Sequence, residues 1–193
     1  MQTMKLALAA ICLALVASNM YGQDRKSVEA TIRDWKRVVA QNPQDFETIA
    51  AIGSAYGKLG DNATAATYFR KAIKVNPGYA PAYAGLGTAY GFLGRPDDAI
   101  ASLRKAASLE PTDPLTRSQL GTKLGKAGHY REAIAELKEA IRLNPHLPEA
   151  HFALGLAYLG QRNRAAAAQE VQALSPLDAQ LSERLQALLN GTR

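Results

Sequence analysis

The stretch from Ala82 to Gly94, AYAGLGTAYGFLG, has glycine at positions 85, 87, 91 and 94. Closely spaced glycines can form a loop whose backbone N–H groups cradle a phosphate. They can also mark a helix that a second backbone approaches closely. A phosphate loop needs a strand to feed it, and no strand pattern precedes Ala82. Few other residues in the chain could do chemistry. His146 and His151 lie five apart, on different faces of a helix, with His146 expected in a turn; His129 stands alone beside a turn glycine. No H-E-x-x-H pattern or cysteine pair offers metal-ligand spacing. Serine and threonine are the available nucleophiles, and no histidine stands in register to activate them. Asp97 and Asp98 open a helix, where the dipole accounts for them. Two sequons, Asn62-Ala63-Thr64 and Asn190-Gly191-Thr192, matter only in a host that glycosylates exported proteins. The expectation is no catalytic residue, no metal, no cofactor and no small-molecule substrate, so an enzyme is the weakest function class.

The elements that hold these residues follow from composition and period. The chain has 193 residues, 47% hydrophobic and 21% charged, with aromatics at only 7%. Alanine carries much of the apolar share, which favours closely packed helices over a sheet. Net charge is +6, but basic and acidic residues alternate without a basic tract, so nucleic acid is not an expected partner. The start differs in kind. A short basic opening, Met1 to Lys5, leads into the uncharged run LALAAICLALVA at 6–17 and then the polar stretch SNMYGQDRK. That layout is a secretory signal peptide over 1–22, cleaved after Ser18 or Gly22, and its apolar run is too short for a comfortable bilayer span. Cys12 is the only cysteine. It follows Ile11 rather than a small residue, which argues against a lipoprotein. The mature protein is then expected to be exported, periplasmic or secreted, and free of thiols.

A 34-residue period organises the remainder. Gly53, Gly87, Gly121 and Gly155 share it, as do Tyr56, Tyr90, Leu124 and Tyr158, and Ala65, Ala99, Ala133 and Ala167. Pro77, Pro111 and Pro145 form another column; so do Phe69, Leu103, Leu137 and Val171, and Gly60, Gly94 and Gly128. Each unit reads as two helices. In the second, Ala82, Gly85, Leu86, Ala89, Tyr90 and Leu93 mark one helical face, Gly94 ends it, and Pro96-Asp97-Asp98 restarts the chain. Ala99, Ile100, Leu103, Ala106 and Ala107 then form a second apolar face that stops before Pro111. The column glycines let the two helices close, since a branched side chain has no room where backbones cross at 8–10 Å.

These residues resemble the tetratricopeptide repeat. Its signature stands as Tyr83, Leu86-Gly87, Tyr90, Gly94, Ala99, Leu103, Ala106 and Pro111. The resemblance implies an all-α fold, a right-handed superhelical solenoid of antiparallel helix pairs. Its units are 46–79, 80–113, 114–147 and 148–176, after a half-repeat at 23–45 and before a capping helix at 177–193. Departures are Arg117 for a large apolar residue, Leu124 for tyrosine, Arg162 for the turn glycine, and Leu174 with an early Pro176, which shortens the fourth unit's second helix. Leu177, Leu181, Leu185, Leu188 and Leu189 make the stripe of a solvating end helix.

The resemblance also implies a concave groove lined by each unit's first helix. Its floor would hold Ser54 and Lys58, Ala84, Thr88 and Phe92, Ser118, Thr122 and Lys126, and Phe152 and Leu156, with Ala50, Leu115 and Leu159 beside them. Relatives that grip acidic chaperone tails carry a lysine, asparagine and arginine clamp; the matching places here are Ala50, Ser54, Ala84, Thr88, Ser118 and Thr122, so that partner class is not expected. The implied function is a non-enzymatic scaffold binding a peptide or partner helix. The alternative is a structural subunit of an envelope assembly (outer-membrane, pilus or secretion machinery), and short arrays can also form homo-oligomers.

Overall fold

The computed structural model describes residues 25–191, and the expected signal peptide lies outside them. A helix over 25–41 (α1) precedes α2 (Phe46–Lys58), α3 (Asn62–Val75), α4 (Ala80–Phe92), α5 (Pro96–Leu109) and α6 (Pro114–Lys126). Then come α7 (Tyr130–Leu143), α8 (Pro148–Gly160), α9 (Arg164–Leu174) and α10 (Ala179–Gly191). The described residues contain no strand, and none of their helices is long and apolar enough to cross a membrane. The architecture is the all-helical solenoid of hairpins, with α2, α4, α6 and α8 as the first helices of four units.

Local sequence sets the helix starts in two ways. Asp45 and Asp61 each accept a hydrogen bond at 3.0 Å from the backbone N–H of the threonine three residues on, Thr48 and Thr64. These bonds hold both carboxyls below the usual aspartate range, through the Thr48 backbone foremost at Asp45 and the Thr64 hydroxyl foremost at Asp61. Asp113 and Asn163 cap α6 and α9 in the same manner. Helices α4, α5 and α8 lack a capping side chain and have proline in the first turn instead, where its missing N–H costs nothing.

The first helix of each unit ends in one repeated turn. Gly60, Gly94 and Gly128 have φ of 82°, 70° and 84°, and the next residue's N–H bonds back to the carbonyl of Tyr56, Tyr90 or Leu124 at 2.9–3.0 Å. The fourth turn is built the same way, Asn163 N–H to Tyr158 O at 2.8 Å, but Arg162 occupies the left-handed position with φ 60°.

The glycine column lies where the two helices of a unit cross. A Cβ on Gly87 would sit 3.0 Å from the Ala99 carbonyl oxygen and 2.7 Å from Leu103 Cγ; on Gly121, 3.1 Å from Ala133 O and 2.5 Å from Leu137 Cγ. Gly53 meets Ala65 O and Phe69 likewise, each at 3.2 Å. Gly155 differs. Leu185 of α10, not Val171 of α9, crowds its Cα. Because α9 has 11 residues where α3, α5 and α7 have 14, the end helix enters that space. Leu185 and Leu189 are buried, Ser182 Oγ donates to Val171 O at 2.9 Å, Leu177 and Leu181 are half-buried, and Leu188 stays exposed.

Among the described residues the buried core falls into three clusters, the smallest of which, Ile32, Ile52 and Ala55, joins α1 to α2. Ile49, Ala65, Phe69, Ala82, Leu86 and Ala89 form one cluster across α2–α4. Leu103, Leu120, Leu124, Leu137 and Leu154 belong to a second across α5–α8.

Candidate protein-interaction surface

The surface shared by α2, α4, α6 and α8 brings most of the expected groove residues together. Phe92, at the end of α4, is 73% exposed although aromatic and apolar. Leu115 and Leu156 are also exposed. Ser54, Lys58 and Lys126 are exposed, Ala84, Thr88 and Thr122 half-buried, and Ser118 buried. The threonine hydroxyls already have acceptors: Thr122 Oγ1 donates to Ser118 O at 2.8 Å, and Thr88 Oγ1 lies 3.1 Å from Ala84 O and 3.3 Å from Gln119 Oε1 of α6. The floor therefore presents hydrocarbon more than free donors. Phe152 is half-buried, with the Arg184 guanidinium of α10 5.4 Å from its ring centre, so the end helix partly covers it.

Recesses open on this surface among the described residues. The first, about 430 Å³, lies between α1 and α2 and includes Val28, Trp35, Ala50, Ser54 and Lys58. A second, about 200 Å³, runs from Ser54 and Gly57 to Thr88 and Phe92, with Phe69 beneath. A third, about 320 Å³, joins Thr122, Gly125 and Lys126 to Leu156 and Tyr130.

Sequence reasoning passed over two features. Lys123 occupies a column that holds alanine at 55, 89 and 157, and its side chain lies over Gly91. Partial burial, aided by the charge of Lys126, holds its ammonium below the usual lysine range. The other feature is a polar clamp repeated in two units. Arg117 Nε donates to Pro111 O and Nη1 to Glu136 Oε2, each at 2.7 Å. One period later His151 Nδ1 lies 2.7 Å from Glu170 Oε2 and Nε2 lies 3.1 Å from Pro145 O. The signal was present in the repeat columns: Arg117 and His151 share one, Glu136 and Glu170 another. No nucleophile joins either clamp in a hydrogen bond, and among the described residues no group of three or more histidine, cysteine, aspartate or glutamate residues could hold a metal ion.

A stack of helical hairpins presenting an open face of small and apolar residues defines the class, an α-solenoid. Within that class the chain belongs to the tetratricopeptide repeat proteins: residues 50–114 match the family described as Tetratricopeptide repeat and residues 124–161 the one described as TPR repeat. Among solved structures, the chain is similar to one described as the crystal structure of MamA, with TM-score 0.74 and 24% identity over 83% of this chain and 94% of that one. MamA 41-end from Desulfovibrio magneticus RS-1 has TM-score 0.73 and 23% identity, covering 81% of this chain and 88% of that one. TTC0263, a thermophilic TPR protein in Thermus thermophilus, has TM-score 0.68 and 24% identity, covering 84% and 90%. At such identities the likeness is one of fold. Comparison with curated proteins finds no match.

Proposed function

We propose that this protein is an exported, non-catalytic scaffold that captures a protein partner, as a peptide or a helix, on the open face of α2, α4, α6 and α8. The observation that carries this reading is Phe92, an aromatic side chain left 73% exposed at the edge of a recess floored by glycine and alanine. Exposed aromatics beside small-residue floors are the usual energetic anchors of protein interfaces. The absence of an activated nucleophile or an acid–base constellation among the described residues of that face fits binding without chemistry. Export rests on the sequence of residues 1–22 alone.

A photo-crosslinking amino acid placed at Phe92 is expected to trap a partner in the native envelope fraction. The same group at Arg70, exposed on α3, is not. Equal labelling from both positions, or none from Phe92, overturns the groove reading. Separately, the protein recovered from its host should begin at Asn19 or Gln23; an intact Met1 in the cell interior overturns export.

A further inference from the structure

The recesses along the groove follow the repeat, and at one seam a lysine side chain takes the equivalent space. The recess between α2 and α4 and that between α6 and α8 use equivalent columns: Ser54 and Thr122 at the lip, Gly57 and Gly125 on the floor, Ala89 and Ala157 on the far wall. Between them, at the α4–α6 seam, Thr88 and Gly91 stand in the lip and floor columns, but Lys123 replaces the alanine of the far wall. Its side chain lies directly on Gly91 and fills the space. Among the described residues Lys123 makes no ion pair, and neither do Lys58 and Lys126 at the same edge; burial already disfavours its charge. A row of apolar recess, unpaired ammonium and apolar recess is thus written along the groove.

Building on the scaffold function above, we propose that the groove takes an extended peptide with two apolar side chains six residues apart and a carboxylate midway between them. The apolar groups enter the recesses beside Phe92 and Leu156, and the carboxylate meets Lys123. Spacing supports this occupant. Neighbouring first helices pack at 8–10 Å, so the two open recesses stand about 16–20 Å apart. A polyproline-type strand repeats its face every three residues at about 3.1 Å each, which puts successive same-face side chains about 9 Å apart. An extended backbone can also lie close to a glycine and alanine floor, whereas a helix about 10–12 Å across holds its own backbone away. Charge favours the middle position, because a carboxylate would give Lys123 the counter-ion that the described residues do not supply.

The test is a fluorescence-anisotropy titration of the full chain with a labelled synthetic nonapeptide. It carries leucine at its second and eighth positions, glutamate at its fifth, and prolines and alanines between. Replacing that glutamate by glutamine is expected to weaken binding about tenfold. Lys123→Ala, which installs the residue of the other three units, should erase that discrimination. Gly57→Leu and Gly125→Leu should each lower affinity at least tenfold with helicity retained, since an added Cβ meets nothing nearer than 4.0 Å and 3.7 Å. Binding that ignores the central charge or the leucine spacing overturns this inference, as does tighter binding of a helical peptide. Failure of the nonapeptide while a native partner still cross-links from Phe92 overturns this inference alone; loss of the Phe92 cross-link removes the scaffold reading itself.

Discussion

The first two repeats and the last two fill the same structural position with opposite chemistry. That position lies on the first helix of each unit, facing the unit's second helix and the turn behind it. It holds Ile49, Tyr83, Arg117 and His151, and the facing column holds Tyr68, Ser102, Glu136 and Glu170. In the N-terminal half the fill is uncharged: Ile49 is buried in the α2–α4 core, Tyr68 packs at its edge, stacked on Tyr56 with centroids 5.6 Å apart, and the buried Ser102 donates to Asp98 O at 2.8 Å. In the C-terminal half a basic side chain meets a carboxylate. Arg117–Glu136 is 19% and 27% exposed and His151–Glu170 only 11% and 15%. Each of these basic side chains also reaches the carbonyl of the proline in the preceding turn, Pro111 or Pro145. The repeat thus keeps a shape rather than a residue type within this chain. A buried charge is admissible there once the facing column supplies a carboxylate and the turn supplies an acceptor.

The glycine seam is where the halves should behave alike, and it carries the largest expected effect. Gly87→Leu and Gly121→Leu should each destabilise by about 3 kcal/mol, because the new side chain meets a backbone carbonyl as well as a leucine. Urea unfolding of the two variants would check this. A midpoint close to that of the parent for either one would mean that the helix crossing is not the constraint on that unit, and the likeness of the two seams would fall with it.

A smaller effect bears directly on the difference. Arg117→Tyr places the second unit's residue in the third and leaves Glu136 and the Pro111 carbonyl without their donor. A largely buried carboxylate stripped of its partner should cost about 2 kcal/mol, below the full buried-pair range because Glu136 keeps some solvent. Adding Glu136→Ser completes the change to the second unit's pair, Tyr83 with Ser102, and should recover most of that loss. No recovery in the double variant would show that the two halves are not interchangeable at this position.

These cases show what was legible in the sequence. The 34-residue period gave the helix pairs, the glycine seam and the left-handed turns, because each depends on a single residue meeting a backbone requirement. Arg117 was visible as a departure, but its partner lies 19 residues away on another helix, and only a joint reading of two columns finds it. His151 reads in sequence only against His146, five residues away on another face, because its partner Glu170 lies 19 residues on. Lys123 was hidden because an isolated lysine in an alanine column reads as a solvated residue until Gly91 is seen to make room for it. The contact of Leu185 with Gly155 was less accessible still, since it depends on how far a shortened α9 lets the end helix advance. Single-residue constraints show in sequence; pairwise ones show only once the columns are set side by side.

The smallest effect sharpens the contrast at the turns. Three of the four first helices end on glycine at positive φ, and the last unit ends on Arg162 at φ 60°. A side chain in the left-handed region costs roughly 1–2 kcal/mol through the clash of Cβ with the following carbonyl. Glycine removes that strain but returns conformational freedom to the unfolded chain, so Arg162→Gly should stabilise by only about 0.5–1 kcal/mol. The converse change at Gly94 or Gly128, to alanine, should destabilise by a similar amount. Neither position has an atom within 4 Å of an added Cβ, so any loss there comes from the backbone alone. Thermal melts of the three variants would decide it. If Arg162→Gly lowers the midpoint while Gly94→Ala and Gly128→Ala also lower it, the arginine side chain makes a contact that outweighs its backbone strain. The fourth turn would then be specialised rather than merely tolerated.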